Sequence, residues 1–385
     1  MSNLQSPINR YPLLPFSQLV YDITRWMPGV YRFPAILRWK DGAKEKDRIE
    51  HTIRMVLDNH PVFSMQVDWR GRHYAAPQKD ILHGKYHDVT IYTKGNDLYL
   101  NISVSRILGD AKSGQILLED IERAYKGLPL EPDDYWGYVA RYEQHKSETH
   151  YTISHDWLKN EFADANVPVR PTIDRRWLTT ILPPKAGLYE DDYTDLHEKI
   201  ERLKTEQFIS YEGIFSLCAS LAIADYCGTE KAALTWAYEG RETEDEQRIF
   251  GSLHRDIPFI INHKSQIINQ KSDLIRFARN QIRQGISHSD YPYTLIAPYN
   301  KRWNYAVNVL RVPDPEDVQS LMDLPIEIES VPEQKYAYAL LDVEIHEKPE
   351  SLRLVYRYSA THYKPESIRR FAALVRKYVE WLIND

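Results

Sequence analysis

A chain of 385 residues, 43% of them hydrophobic, is long enough to form one large or two medium domains with substantial cores. Its formal net charge of -6 at pH 7 supplies no basic field, which argues against nucleic acid as a partner. The longest apolar stretch, Gly213–Cys227, is broken by Ser216, Ser220 and Asp225 and is too short and polar to span a bilayer, so no membrane association is expected.

From the N-terminus, no charged segment followed by an apolar run appears, and no secretory signal is expected. Tyr11–Pro15 precedes a short amphipathic stretch, Phe16–Trp26. Val30–Trp39 reads as a strand. A helix is expected at about Glu45–Asn59, with Ile49, Ile53, Val56 and Leu57 on one face, stopped by His60-Pro61. Phe63–Trp69 alternates like a strand.

The most informative stretch is Leu98–Tyr125. It opens as a strand, with Leu98, Leu100, Ile102 and Val104 alternating with Tyr99, Asn101, Ser103 and Ser105. It closes as a helix with apolar Ile116, Leu117, Ile121 and Ala124. Ser113 is a candidate N-cap, and Asp110 lies close to the positive end of the helix. Between strand and helix sits the turn Ser105–Ala111.

Asp133–Phe162 is aromatic-rich and mostly helical in pattern. Ala163–Gly187 carries Pro168, Pro171, Pro183 and Pro184 with little periodicity, and is the expected boundary between halves. A charged helix at Asp195–Thr205 follows, then a buried helix around Ile214, Leu217, Cys218, Leu221 and Ala222, ended by Gly228. Cys218 and Cys227 lie nine positions apart in that helix, about 13 Å along its axis, too far for a disulfide. They have no metal-ligand spacing either. No metal or tightly bound cofactor is expected, and a reducing cytoplasm is the expected location. Ala232–Tyr238 reads as a strand running into Glu239-Gly240-Arg241. Further strands are expected at Tyr305–Val312, Lys335–Ile345 and Leu352–Ser359, the last two as a hairpin. A final helix runs from about Pro365 to Ile383, with Ile368, Phe371, Ala372, Val375, Val379 and Leu382 on one face.

The order of these pieces resembles the condensation domains of nonribosomal peptide synthetases. Tyr11–Pro15 resembles the family's Y-P-L-T-P start, and Asn59–Ser64 its R-H-P-A-L-R turn. Glu239-Gly240-Arg241 resembles S-G-R. Gly251–Phe259 resembles G-x-F-x-N-x-x-P-L, and Ser287–Tyr293 (SHSDYPY) looks like A-H-Q-D-Y-P-F. The turn Ser105–Ala111 falls on the active-site pattern H-H-x-x-x-D-G. Aligned on Asp110, the two histidines fall at Ser105 and Arg106 and the glycine at Ala111.

The resemblance covers about Tyr11 to Asp385. It implies an α/β fold of two chloramphenicol-acetyltransferase-like lobes, a V-shaped pseudo-dimer with mixed sheets covered by helices. The expected lobes are residues 1–165 and 166–385. It implies carrier proteins or other synthetase domains as partners, presenting phosphopantetheine-linked substrates, with a recruited tailoring enzyme as a further partner. It also implies that Asp110 is structural and pairs with an arginine, for which Arg241 and Arg106 are candidates. His60 and His288 are expected to be scaffold residues.

The departures bear on chemistry. A histidine assisting amine attack on a thioester contributes about 10²–10⁴-fold. Arg106 has no acceptor nitrogen and stays protonated, and Ser105 is a poor base on its own. Glu239, where the family has a small serine, is expected either to neutralise Arg106 or, if burial raised its pKa, to act as a substitute base. Ala111 adds a methyl where the family has glycine and is expected to narrow the substrate path. Two functions follow. The first is a module that docks carrier proteins or recruits an enzyme. The alternative is an acyltransferase that still condenses carrier-bound acyl and amine groups by proximity or with another base.

Overall fold

The computed structural model describes residues 9–25, 31–76, 78–161, 167–175, 184–262, 271–295, 306–313, 323–330, 336–337 and 339–384. The chain begins with β1 (Tyr11–Pro12), α1 (Pro15–Thr24), β2 (Arg32–Trp39), α2 (Lys46–Asn59), β3 (Met65–Val67) and β4 (Arg72–Ala75). It continues through β5 (His87–Lys94), β6 (Asp97–Ser105), α3 (Ala111–Tyr125), α4 (Tyr135–His145), α5 (Thr149–Glu161) and β7 (Ala186–Asp192). Then come α6 (His197–Gln207), α7 (Tyr211–Cys227), β8 (Lys231–Tyr238), β9 (Arg255–Asn262), α8 (Lys271–Ser287) and β10 (Asn308–Arg311). The last elements are β11 (Ile326–Ser330), β12 (Leu341–Lys348), β13 (Ser351–Ser359) and α9 (Pro365–Ile383).

These elements form two compact units. The first comprises Met1–Ser147, Glu239–His254 and Pro315–Glu333; the second comprises Glu148–Tyr238, Arg255–Asp314 and Gln334–Asp385. The expected lobes, 1–165 and 166–385, are each continuous in sequence, whereas both units are discontinuous. Two stretches from the later half complete the first unit. Of the expected boundary Ala163–Gly187, residues 163–166 and 176–183 lie outside the described residues.

In the first unit an antiparallel sheet has the order β11-β2-β6-β5, and a smaller one β1-β4-β3. Period-two burial runs along β6: Leu98, Leu100, Ile102 and Val104 are buried, while Asn101 is exposed. β2 opposes β6 across its full length, from Arg32↔Ser105 to Trp39↔Leu98. The apolar face of α2 (Ile49, Ile53, Val56, Leu57) and that of α3 (Ile116, Leu117, Ile121) are buried, and the two helices pack on each other. Trp39 of β2 meets Tyr125 at the end of α3 with ring centroids 4.6 Å apart. β11 arrives from far along the chain, pairs antiparallel with β2, and places Glu327 in an ion pair with Arg38.

Phe63–Trp69 is shorter as a strand than its alternation suggests. Pro61–Ser64 forms a 3-10 turn and only Met65–Val67 pairs. Proline's preset φ and missing N–H favour a turn at that point.

The second unit holds a mixed sheet of order β7-β13-β12-β10-β8-β9. β10 runs parallel to both β12 and β8, and the β12–β13 hairpin closes at Lys348↔Ser351. α7 is buried on all sides, which explains why its sequence carries no polar stripe. The Ser210 side chain accepts from the Gly213 N–H at its start, and Gly228 ends it with φ +65°. α9 buries Ile368, Phe371, Ala372, Val375, Val379 and Leu382 and packs on α7. Among the described residues no single helix is long and apolar enough to cross a membrane.

Candidate functional site in the first unit

The turn between β6 and α3 is built from the backbone outward. The Ser105 N–H donates to the Tyr86 carbonyl (2.8 Å), the Arg106 N–H to the Tyr31 carbonyl (2.8 Å), and the Leu108 N–H to the Ser105 carbonyl (2.9 Å). Ser17 in α1 donates its hydroxyl to the Ile107 carbonyl (2.9 Å). Ile107 and Leu108 are buried, so the turn is anchored from both sides. Gly109 is required by space: a Cβ there would lie 2.8 Å from Phe250 Cε1 and 2.9 Å from Ser113 Cβ.

Asp110, not Ser113, is the N-cap of α3. Its Oδ1 accepts from the Ser113 N–H (3.1 Å), and the Ser113 hydroxyl accepts from the Asp110 N–H (3.2 Å), a reciprocal capping box. Ser113 is therefore the third helical residue, one turn inside the start expected for it. Its hydroxyl also ties down Gly251, accepting from the Gly251 N–H (3.1 Å).

The same carboxylate holds Arg241 in a buried, two-pronged pair, with Nη1 donating to Oδ2 (2.9 Å) and Nη2 to Oδ1 (3.0 Å). Oδ2 also accepts from the Leu253 N–H (2.9 Å) and the His254 N–H (3.1 Å). Arg241 Nη2 donates onward to the Ile249 carbonyl (3.1 Å) and the Gly251 carbonyl (3.0 Å). Gly240, with φ +71°, turns the chain just before Arg241. Burial alone would raise the Asp110 pKa, but the Arg241 charge and hydrogen bonds, with smaller help from His254 and the Ser113 N–H, bring it below the usual carboxylate value. Asp110 thus starts α3 and stitches Glu239–His254 onto it.

Arg106 is half-buried and its guanidinium lies over the Phe33 ring, 4.6 Å from the centroid. Ser105 is buried, and its hydroxyl accepts from the Ile107 N–H (3.3 Å) within the turn. Ala111 is exposed as the first residue of α3. Glu239 is also exposed, and no ion pair links it to Arg106. The structure brings Ser105, Arg106, Asp110 and Arg241 into one cluster and leaves Glu239 and Ala111 at its surface.

The family model for the condensation domain matches residues 87–385 of this sequence. The chain belongs to the condensation-domain family. Its similarity to solved structures runs nearly end to end. The epimerization domain from the third module of tyrocidine synthetase B is 14% identical with a TM-score of 0.76, covering 99% of each chain. The X-domain from teicoplanin biosynthesis, in its complex with OxyB, is 14% identical with a TM-score of 0.78, covering 97% of this chain and 93% of that one. The cyclization-docking bidomain EpoB from Sorangium cellulosum is 14% identical with a TM-score of 0.74, covering 98% and 85%. At such identities these likenesses establish the fold. No curated protein sequence is similar enough to this chain to count as a match.

Two histidine environments complete the site of this condensation-domain protein. His60 is buried, with Nδ1 2.8 Å from Asp133 and Nε2 3.2 Å from Asp120, and Arg248 pairs with Asp120 (2.8 Å). Burial opposes its charge, yet the two carboxylates beside it, Asp120 and the hydrogen-bonded Asp133, outweigh that and raise its pKa. Asp133 also accepts from the Phe250 N–H (3.1 Å), so this network braces Phe250 against the turn's Gly109. That is a scaffold role, as the motif comparison implies. His254 is the residue that motif reading missed. Within Gly251–Phe259 it falls at a variable position, and only the fold brings it beside Asp110.

In the second unit, His288 stacks on Trp157 (4.7 Å, 25°) and lies 3.2 Å from the Ser154 hydroxyl. It packs α5 against the end of α8, a structural position. Among the described residues, no group of three or more His, Cys, Asp or Glu side chains is arranged to hold a metal ion.

Proposed function

We propose that this condensation-domain protein works in a nonribosomal-peptide-type assembly line, docking carrier proteins or recruiting a tailoring enzyme, without histidine-assisted amide synthesis at its motif turn. One observation carries the reading: the position of the motif's second histidine holds Arg106, a permanent cation laid over Phe33. A guanidinium accepts no proton from an attacking amine. Ser105 spends its hydroxyl inside the turn. Asp110 and Arg241 keep the scaffold intact, so loss of the base does not entail loss of the surface that partners read.

The recruiting role is supported by analogy: a domain of the same fold, the teicoplanin X-domain, was solved in complex with OxyB. Phosphopantetheine-linked groups are the ligands such docking would present. Cys218 and Cys227 are both free, in keeping with a reducing cytoplasm. Retained acyl transfer with Glu239 as base finds no support, because that side chain is exposed.

Calorimetric titration of holo carrier proteins into the purified chain tests the docking half. Saturable binding with a Kd in the micromolar range is expected. No binding by any carrier of the same assembly line contradicts docking and leaves enzyme recruitment as the surviving half.

A further inference from the structure

His254 ends the stretch that crosses into the first unit, and its backbone N–H donates to Asp110 Oδ2 (3.1 Å). The carboxylate that starts α3 therefore also fixes where this imidazole hangs. Its ring meets Phe16 at 3.8 Å between centroids and 62° between planes. The neighbouring Ser17 is bonded to the Ile107 carbonyl, which places the imidazole alongside the turn. Phe16 also meets Tyr31 (6.5 Å), a non-glycine residue held at φ +61° whose carbonyl receives the Arg106 N–H.

Within this tight setting the ring is poorly served. Nδ1 is buried with no hydrogen-bond partner, and among the described residues Nε2 makes no bond either. An unmet buried polar atom carries a desolvation cost that a phenyl ring in the same space would avoid. A retained cost of that kind calls for an explanation. Burial first, and then the charges of Arg106 and Arg241, hold the imidazole pKa down to about 4 against the pull of Asp110. The ring is neutral at pH 7 and keeps a lone pair, the acceptor that Arg106 cannot supply. Nδ1 is shut off from solvent and Nε2 is not, so Nε2 is the nitrogen that a ligand can meet.

We propose that the His254 imidazole is a binding acceptor beside the motif turn, taking a hydrogen bond from an uncharged N–H or O–H group on a pantetheine-linked acyl chain. The inference rests on the carrier-docking reading and names the chemistry of the group presented. The donor must be uncharged, because the two guanidinium groups that disfavour a proton on His254 also disfavour an ammonium beside it. No bond is made or broken in this role.

The test uses two soluble pantetheine amides, one bearing a glycolyl group and the other an acetyl group, which differ by a single hydroxyl. Binding of each is measured by NMR titration to the full chain and to His254→Phe. The wild type is expected to bind the glycolyl probe about five- to tenfold more tightly than the acetyl probe, the worth of one neutral hydrogen bond. In His254→Phe the ratio should fall below twofold. A second reading needs no variant to fold: in ¹⁵N-histidine-labelled wild type, an imidazole nitrogen of His254 should shift with the glycolyl probe and stay put with the acetyl probe. A wild-type ratio near one, an undiminished ratio in His254→Phe, or an unmoved His254 resonance overturns the proposal. Carrier binding without probe discrimination defeats the His254 assignment alone, whereas probe discrimination without carrier binding defeats the docking reading alone.

Discussion

Asp110 does its work as a buried charge. Replacing it by alanine strands the Arg241 guanidinium, unpairs the Leu253 and His254 N–H groups and removes the α3 cap. Breaking a buried pair from one side costs about 3–5 kcal/mol, and urea unfolding of Asp110→Ala should show a loss of that size. A loss under about 1 kcal/mol would mean the pair is not buried in solution. Gly109→Ala tests the packing beside it. Its methyl would press on Phe250 and Ser113, and overpacking of this kind costs about 1–3 kcal/mol by the same measurement. Asp110 and Arg241 were legible in the sequence because each sits in a motif with fixed spacing. The capping role was misplaced by one turn, since Ser113 and Asp110 are both good cap residues and only their reciprocal hydrogen bonds, with Asp110 extended and Ser113 helical, decide between them. His254 left no signal, because its setting is made by residues far away in sequence.

At the scale of elements, two titrations set how firmly the Glu239–His254 stretch is held. His60 joins the end of α2 to Asp120 of α3 and to Asp133, which in turn holds Phe250. Its folded pKa is raised above an unfolded value of about 6.5. The stabilisation is therefore complete below about pH 6.5 and is lost as pH rises through the folded pKa. Asp110 has the opposite sign. Its folded pKa is lowered, so its contribution is present above the unfolded value of about 4 and is lost as pH falls through the folded one. Unfolding midpoints of wild type and His60→Gln, measured from pH 5.5 to 9, should converge as pH rises. Parallel curves would show that His60 does not titrate in that range. The long periodic elements were legible throughout: α2, β6, α7 and α9 lie within a few residues of the segments read from apolar spacing. Phe63–Trp69 misled because Pro61 imposes a turn that its alternation conceals.

At the scale of the whole molecule, the boundary between units is the feature least legible in a linear reading. Strand β11 and the stretch Glu239–His254 belong to the first unit, yet they lie in the later half of the chain. Hydrophobic spacing marks which residues are buried but does not record against which partner. A fragment of residues 1–165 lacks Arg241, Phe250 and β11, leaving Asp110 unpaired and β2 with a bare edge. It should show no cooperative thermal unfolding. A sharp transition in that fragment would mean the first unit is complete without the later stretches.

Under the proposed function, this condensation fold keeps the motif's scaffold while its turn no longer assists amide formation. The most direct measurement is an intact-mass assay of donor and acceptor carrier proteins, each loaded with substrate, incubated with the wild-type chain and with Arg106→His. Product above the uncatalysed background is expected with neither, because Ser105 remains committed to the turn and one histidine does not rebuild the motif. Enzyme-dependent amide product with the wild type would contradict the claim.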